Sequence, residues 1–345
     1  MSHVPTDSAV AKDDLVIPLI DFSQFLSGEA TSKKATAEAV LKGFQNAGFI
    51  YLKNHGIPSD TVTNVFSHSA NFFARSKEQK DSLAWYSPES NRGYTAQGRE
   101  KVTDLEEHGD VEALRQAVPD LKESFEIGRE NEPGMPNMWP PTDGDDAAKA
   151  FKEVMAEFFT TCNQLHMQVM RAIALGMGIE EDWFDSYTDV GDNTLRLLHY
   201  PAVPKSVFKR SDGQLQVRAG EHSDYGSVTL LFQDSRGGLQ VRSPKGTFVD
   251  ATPIPDTIVV NAGDLLARWS NDTIKSTKHR VVEPPAKPED EASDSYPPRY
   301  SIAYFGNPNF DSMIEAIPGT YERTGRKYEG VKSGEYLWKR LSATY

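Results

Sequence analysis

The chain has 345 residues, a formal net charge of −13 and a single cysteine, Cys162. So acidic a composition leaves no basic footprint for a nucleic-acid duplex, and a lone cysteine excludes an intrachain disulfide, which fits a reducing, cytoplasmic setting. The length suits one large structural unit, and no apolar run approaches the thickness of a bilayer, so a membrane partner is not expected.

In chain order, residues 1–16 read as a polar tail without the apolar stretch of a secretory signal. Residues 17–21 and 49–53 read as strands. Between them Ala39, Val40, Gly43 and Phe44 recur near helical spacing and predict a helix over 31–47. A second helix is expected over 59–75, with Ser59 or Asp60 as its N-cap. Residues 86–146 are rich in Gly, Pro and charge. A stretch that long without a pattern is expected to cover an active site in part. The longest helical run follows at 146–178, where Phe151, Met155, Phe158, Phe159, Cys162 and Leu165 form one broad apolar face. Cys162 therefore reads as a packed core residue.

Strand patterns then recur at 195–200, 216–219, 227–232, 239–241, 257–260, 277–283 and 300–305, separated by turn residues such as Gly237-Gly238 and Asn261-Ala262-Gly263-Asp264. Residues 334–345 read as a closing helix. The expected fold is mainly β with flanking helices, a sandwich or jelly-roll. Residues 17–190 make a mixed α/β region packed on a barrel of residues 191–345, the two forming one unit.

The strongest chemical pattern is His222-Ser223-Asp224 followed by His279. Two histidines and one carboxylate on one face of an octahedral ion leave positions open for other ligands. Residues i and i+2 of an extended strand point the same way, so His222 and Asp224 can reach one ion, with His279 coming from a neighbouring strand. Taken alone, His-x-Asp is also compatible with a surface pair. Further on, Arg299, Ser301, Ala303 and Phe305 share one strand face, and a buried Arg beside a Ser suits a carboxylate ligand. A structural ion pair is the alternative for Arg299.

The order His222-x-Asp224, His279, Arg299-x-Ser301 resembles the 2-oxoglutarate-dependent iron(II) dioxygenases of the isopenicillin N synthase-like type. The flanks agree at Pro18-Leu19-Ile20-Asp21-Phe22, at the run from Asn46 to Ile57, at Leu198-His199-Tyr200-Pro201 and at Trp269-Ser270-Asn271-Asp272. The resemblance spans residues 17–345. It implies a double-stranded β-helix whose mouth holds iron(II), with 2-oxoglutarate and dioxygen as co-substrates. Within the family, Asn91-Arg92-Gly93-Tyr94 and residues 193–201, 230–241 and 261–285 are similar to fungal members that oxidise the methyl group of a free pyrimidine base.

The resemblance gives Tyr200 a part in holding the far carboxylate of 2-oxoglutarate. Many relatives carry Asn where this chain has Leu198, which removes one expected hydrogen bond. Phe305 should face the cavity and offer a stacking surface, while Arg196, on the face of Tyr200, and Tyr225, next to Asp224, are expected to contact a small planar base. The alternatives are that Phe305 only fills the barrel and that Arg196 is salt-bridged. His3, His55, His68, His108, His166 and His199 read as structural. The leading expectation is hydroxylation of a pyrimidine 5-methyl group. A dioxygenase of a secondary metabolite and a barrel that only binds are the other two readings, and the oligomeric state is left open.

Overall fold

The computed structural model describes residues 7–100, 119–209 and 216–344. Two antiparallel-rich sheets face each other. The larger has nine strands in the order Asp7–Lys12, Leu15–Asp21, Phe49–Lys53, Thr257–Ala262, Val228–Gln233, Arg299–Gly306, Thr194–Tyr200, Glu123–Ile127 and Gly93–Thr95. The smaller has four, in the order Phe248–Asp250, Leu239–Arg242, His279–Val281 and Ala219–His222. This is the double-stranded β-helix expected from the sequence.

Period-2 alternation decides which side chains meet. On strand Arg299–Gly306, Arg299, Ser301, Ala303 and Phe305 all line the cavity between the sheets, whereas Ile302 and Tyr304 join the outer core. Strand Thr194–Tyr200 behaves alike: Thr194, Arg196, Leu198 and Tyr200 look inward, and Leu195 and Leu197 outward. The outer core is closed by helix Asp146–Met177, whose Phe151, Met155, Phe158, Cys162 and Leu165 are buried. Its first turn is capped by Asp145, whose carboxylate accepts from Ala148 N at 2.8 Å, and it ends on Gly178 in the left-handed conformation (φ 76°). Helix Ala30–Asn46 packs on it so closely that a Cβ at Gly176 would stand 2.6 Å from Ala37 O.

Several boundaries move. The N-cap of helix Ser59–Phe73 is Pro58 rather than Ser59 or Asp60, because the Ser59 hydroxyl is engaged with Asp256 at 2.6 Å. The strand expected over 216–219 lies at Ala219–His222; Gln216 instead turns its amide onto the backbone oxygens of Pro119 and Val217, both at 3.0 Å. The strand expected over 277–283 shortens to His279–Val281, with an irregularity in its pairing. Residues 7–12 of the polar tail form a strand paired to 15–19. Strand Glu123–Ile127 was concealed by its polar letters. All five of its residues are buried, with Glu123 paired to Lys80 at 2.8 Å and Glu126 to Arg196 at 2.8 Å. Cys162 is fully buried, as its helix position implied. Among the described residues no helix is long and apolar enough to cross a membrane.

Candidate functional site

His222 and His279 sit opposite each other in adjacent strands, with ring centroids 4.2 Å apart. Asp224 lies just beyond the strand end rather than within it, a correction to the extended-strand expectation. A turn carries it to the same place, fixed by Asp264 N donating to Asp224 O at 2.8 Å. That turn needs glycines, since a Cβ on Gly226 would stand 2.5 Å from Gly306 O and one on Gly263 2.4 Å from Gly226 O. Each histidine Nε2 is 3.8 Å from Asp224 Oδ1, and the three ligand atoms lie within 4.8 Å of one another.

The neighbours leave those atoms available to a metal. Asp224 Oδ2 accepts from Thr229 Oγ1 at 2.6 Å and Asn261 Nδ2 at 2.7 Å, so Oδ1 is the oxygen turned towards the imidazoles. His222 Nδ1 meets Gly220 O at 2.8 Å and His279 Nδ1 meets Thr277 O at 3.3 Å, which directs both Nε2 lone pairs inward. Burial, reinforced by nearby His279, pushes the His222 pKa down to about 4, so its imidazole is neutral at neutral pH. Burial alone would raise Asp224, but the two histidines and its two hydrogen-bond donors hold it below the usual carboxylate range. Neutral imidazoles and an ionised carboxylate are the forms that bind a divalent ion.

Farther in, Arg299 is buried and stands across from Tyr200 in the strand pairing, with its guanidinium 4.8 Å from the Tyr200 ring centroid. It donates from Nε to Gly237 O at 2.9 Å and from Nη1 to Ser301 Oγ at 3.2 Å. No carboxylate of the described residues pairs with it, which removes the structural ion pair as its explanation. Leu198, where many relatives carry Asn, also lines this cavity.

At the other side of the cavity, Arg196 lies 5.4 Å from the Phe305 ring centroid and reaches Glu100 at 3.0 Å and Glu126 at 2.8 Å. It is therefore both salt-bridged and cavity-lining. Lys122 completes this buried cluster by pairing with Glu100. Burial raises Glu126 to about 7, whereas for Glu100 burial is outweighed by Arg196 and Lys122, which hold it at about 2. Tyr225 also lines the cavity, and its hydroxyl meets Thr344 Oγ1 at 2.8 Å. Leu337, Trp338 and Leu341 of helix Ser333–Thr344 close the wall beside it.

The described ends of the patternless stretch do line the site, through Asn91, Arg92, Glu100, Lys122 and Glu132, while residues 101–118 lie outside the described residues. Glu100, Lys122 and Glu126 were not singled out from the sequence. Their only visible signal is charge inside a segment with no helical or strand periodicity. His199 is no ligand: it stacks on Tyr300 at 4.7 Å and meets Glu123 at 2.7 Å.

Residues 17–142 match the model of the non-haem dioxygenase N-terminal region, and residues 191–308 match that of the 2OG-Fe(II) oxygenase superfamily. The 2-oxoglutarate-Fe(II) type oxidoreductase ppzD of Metarhizium rileyi is 33% identical over 94% of this chain and 90% of its own length. The chain belongs to the 2-oxoglutarate/iron(II) oxygenase family. Another member, proline hydroxylase buaE of Petromyces alliaceus, is 33% identical over 94% of this chain and 98% of its length. The crystal structure of the thymine 7-hydroxylase of Neurospora crassa in complex with α-KG and thymine is 63% identical, covers 98% of this chain and all of that one, and superposes with a TM-score of 0.89. This oxygenase uses iron(II), 2-oxoglutarate and dioxygen, and the trio of His222, Asp224 and His279 fits the metal.

Proposed function

We propose that this oxygenase hydroxylates the 5-methyl group of thymine and carries the product onward to 5-formyluracil and uracil-5-carboxylate. The observation that carries the reading is a cavity running from the metal trio to Phe305, Arg196 and Tyr225, in a chain 63% identical along nearly its whole length to a thymine 7-hydroxylase solved with thymine. The Neurospora enzyme has also been solved with 5-formyluracil, at 59% identity, which supports the onward step.

In this reading His222, Asp224 and His279 hold iron(II). Arg299 and Ser301 supply donors to the far carboxylate of 2-oxoglutarate, and Tyr200 flanks it. Iron(II), 2-oxoglutarate and dioxygen together supply the oxidising power for C–H hydroxylation, with succinate and carbon dioxide as co-products. Phe305 offers the base an aromatic face. Glu100 and Glu126 fix the Arg196 guanidinium so that it presents donors to a ring carbonyl without swinging into the cavity. Tyr225, pinned to Thr344, sets the rim. Leu337, Trp338 and Leu341 exclude water from the reacting methyl group.

A second reading, hydroxylation of another small molecule, draws on the curated relatives, which include a proline hydroxylase. Equilibrium binding to the iron- and 2-oxoglutarate-loaded protein without oxygen separates the two. Thymine should bind and proline should not; the reverse preference would replace the thymine reading. A barrel that only binds is set aside by the intact trio.

A further inference from the structure

Arg218 stands immediately before strand Ala219–His222 and is 1% exposed. Its backbone is fixed, donating to Val281 O at 2.8 Å. Its side chain is another matter: Nε, Nη1 and Nη2 are all buried and find no hydrogen-bond partner among the described residues. The guanidinium lies over aromatic faces, 6.0 Å from the ring centroids of both Tyr200 and Phe208. Tyr200 is thus attended by two arginines, because Arg299 lies 4.8 Å from the same centroid.

Two buried like charges around one phenol are mutually unfavourable, and a buried guanidinium without an anion costs several kcal/mol. Asp234, the acid whose charge acts on Arg218, is engaged elsewhere, as is Asp290 beyond it. Asp234 accepts from Tyr300 N at 2.6 Å and Arg236 N at 2.9 Å, and Asp290 pairs with Arg236 at 2.6 Å. Burial and the Arg299 charge bring Arg218 down to about 10, which still leaves it cationic at neutral pH. Two cations with no acid between them among the described residues are made stable by an anionic ligand.

We propose that Arg218 is a second cation of the 2-oxoglutarate subsite, a positioning residue that acts across the Tyr200 ring to hold the far carboxylate. This rests on the co-substrate reading of Arg299 and Tyr200 and is independent of the thymine reading. Arg299 supplies directional donors, whereas Arg218 supplies field and braces the phenol. A dianion gains from both charges, but a keto acid lacking the far carboxylate gains from neither.

The test is an anaerobic titration of the iron(II)-loaded protein, followed by the visible absorption of the iron(II)–keto acid chelate. Arg218→Met should weaken 2-oxoglutarate binding about tenfold, through loss of a buried charge that acts on the far carboxylate across the Tyr200 ring. Its affinity for 2-oxopentanoate, with a methyl group in place of that carboxylate, should match the wild type. Arg218→Lys should recover most of the lost affinity, and Arg218→Gln gives the same comparison should the Met variant not fold. Unchanged 2-oxoglutarate affinity, or equal loss of both keto acids, overturns the proposal. Arg299→Met run in parallel separates the two claims: selective loss there with none at Arg218 sinks only the Arg218 assignment, whereas no loss at Arg299 sinks the subsite itself.

Discussion

Asp224 divides its two oxygens between two tasks, Oδ2 held by Thr229 and Asn261 and Oδ1 turned to the imidazoles. Each variant His222→Ala, Asp224→Ala or His279→Ala should therefore lose iron binding and turnover while remaining folded, since the core does not depend on metal. Thr229→Val, which removes one of the two donors to Oδ2, should weaken iron about tenfold; wild-type affinity in an equilibrium iron titration would remove the anchoring role. Glu126 makes a second prediction. Its folded pKa of about 7 lies above the ordinary carboxylate value, so the folded state holds the proton more tightly. Its contribution is fully present below the unfolded pKa, is lost as pH rises through about 7, and amounts to about 3 kcal/mol across that window. Glu126→Gln, a neutral replacement, should flatten the decline in stability between pH 5 and 8 in denaturant melts. A wild-type pH slope in that variant would show that Arg196 keeps Glu126 ionised throughout.

Strand Arg299–Gly306 shows what one element can carry. Its alternation places Arg299, Ser301 and Phe305 in the cavity and Ile302 and Tyr304 in the core behind, which is why this part of the site was legible from the sequence. Phe305→Ala should weaken thymine binding by about 1–3 kcal/mol through lost burial and stacking, measured by calorimetry on the loaded protein, and leave 2-oxoglutarate affinity alone. Equal loss of both ligands would mark Phe305 as barrel packing. Helix Ser333–Thr344 was also legible as a helix, from Tyr336, Leu337 and Leu341 at helical spacing, but its position over the cavity was not. That depends on the Tyr225 to Thr344 contact between residues 119 apart in sequence. A chain ending before Ser333 should keep iron and 2-oxoglutarate binding and lose thymine affinity at least tenfold, as removing Leu337, Trp338 and Leu341 opens one wall. Full thymine affinity in that truncation would assign the wall elsewhere.

Across the whole molecule, a net charge of −13 coexists with a cavity whose inner end gathers cations. Among the described residues Arg299 faces the cavity without an acidic partner, whereas Arg196 and Lys122 are matched by Glu100 and Glu126, so only the far end is charge-balanced by the protein itself. The fold makes this possible by laying residues from both sheets on one chamber and bracing the larger sheet with helix Asp146–Met177. The metal trio was readable because its ligands occur as a short motif plus one strand neighbour. The cluster at Glu100 was not, because Arg196 meets it across 96 positions of sequence, and no local pattern records such a meeting.

The most direct test of the account is stoichiometric turnover. Iron(II)-loaded protein supplied with 2-oxoglutarate, oxygen and thymine is followed for succinate and 5-hydroxymethyluracil by mass spectrometry, with uracil as the control that lacks the methyl group. The account predicts that succinate and oxidised thymine products rise together, counting one succinate for each oxidation, and that uracil yields no hydroxylated product. If thymine gives neither product while proline or another non-pyrimidine is cleanly hydroxylated by the same preparation, the thymine assignment is contradicted and the family chemistry alone stands.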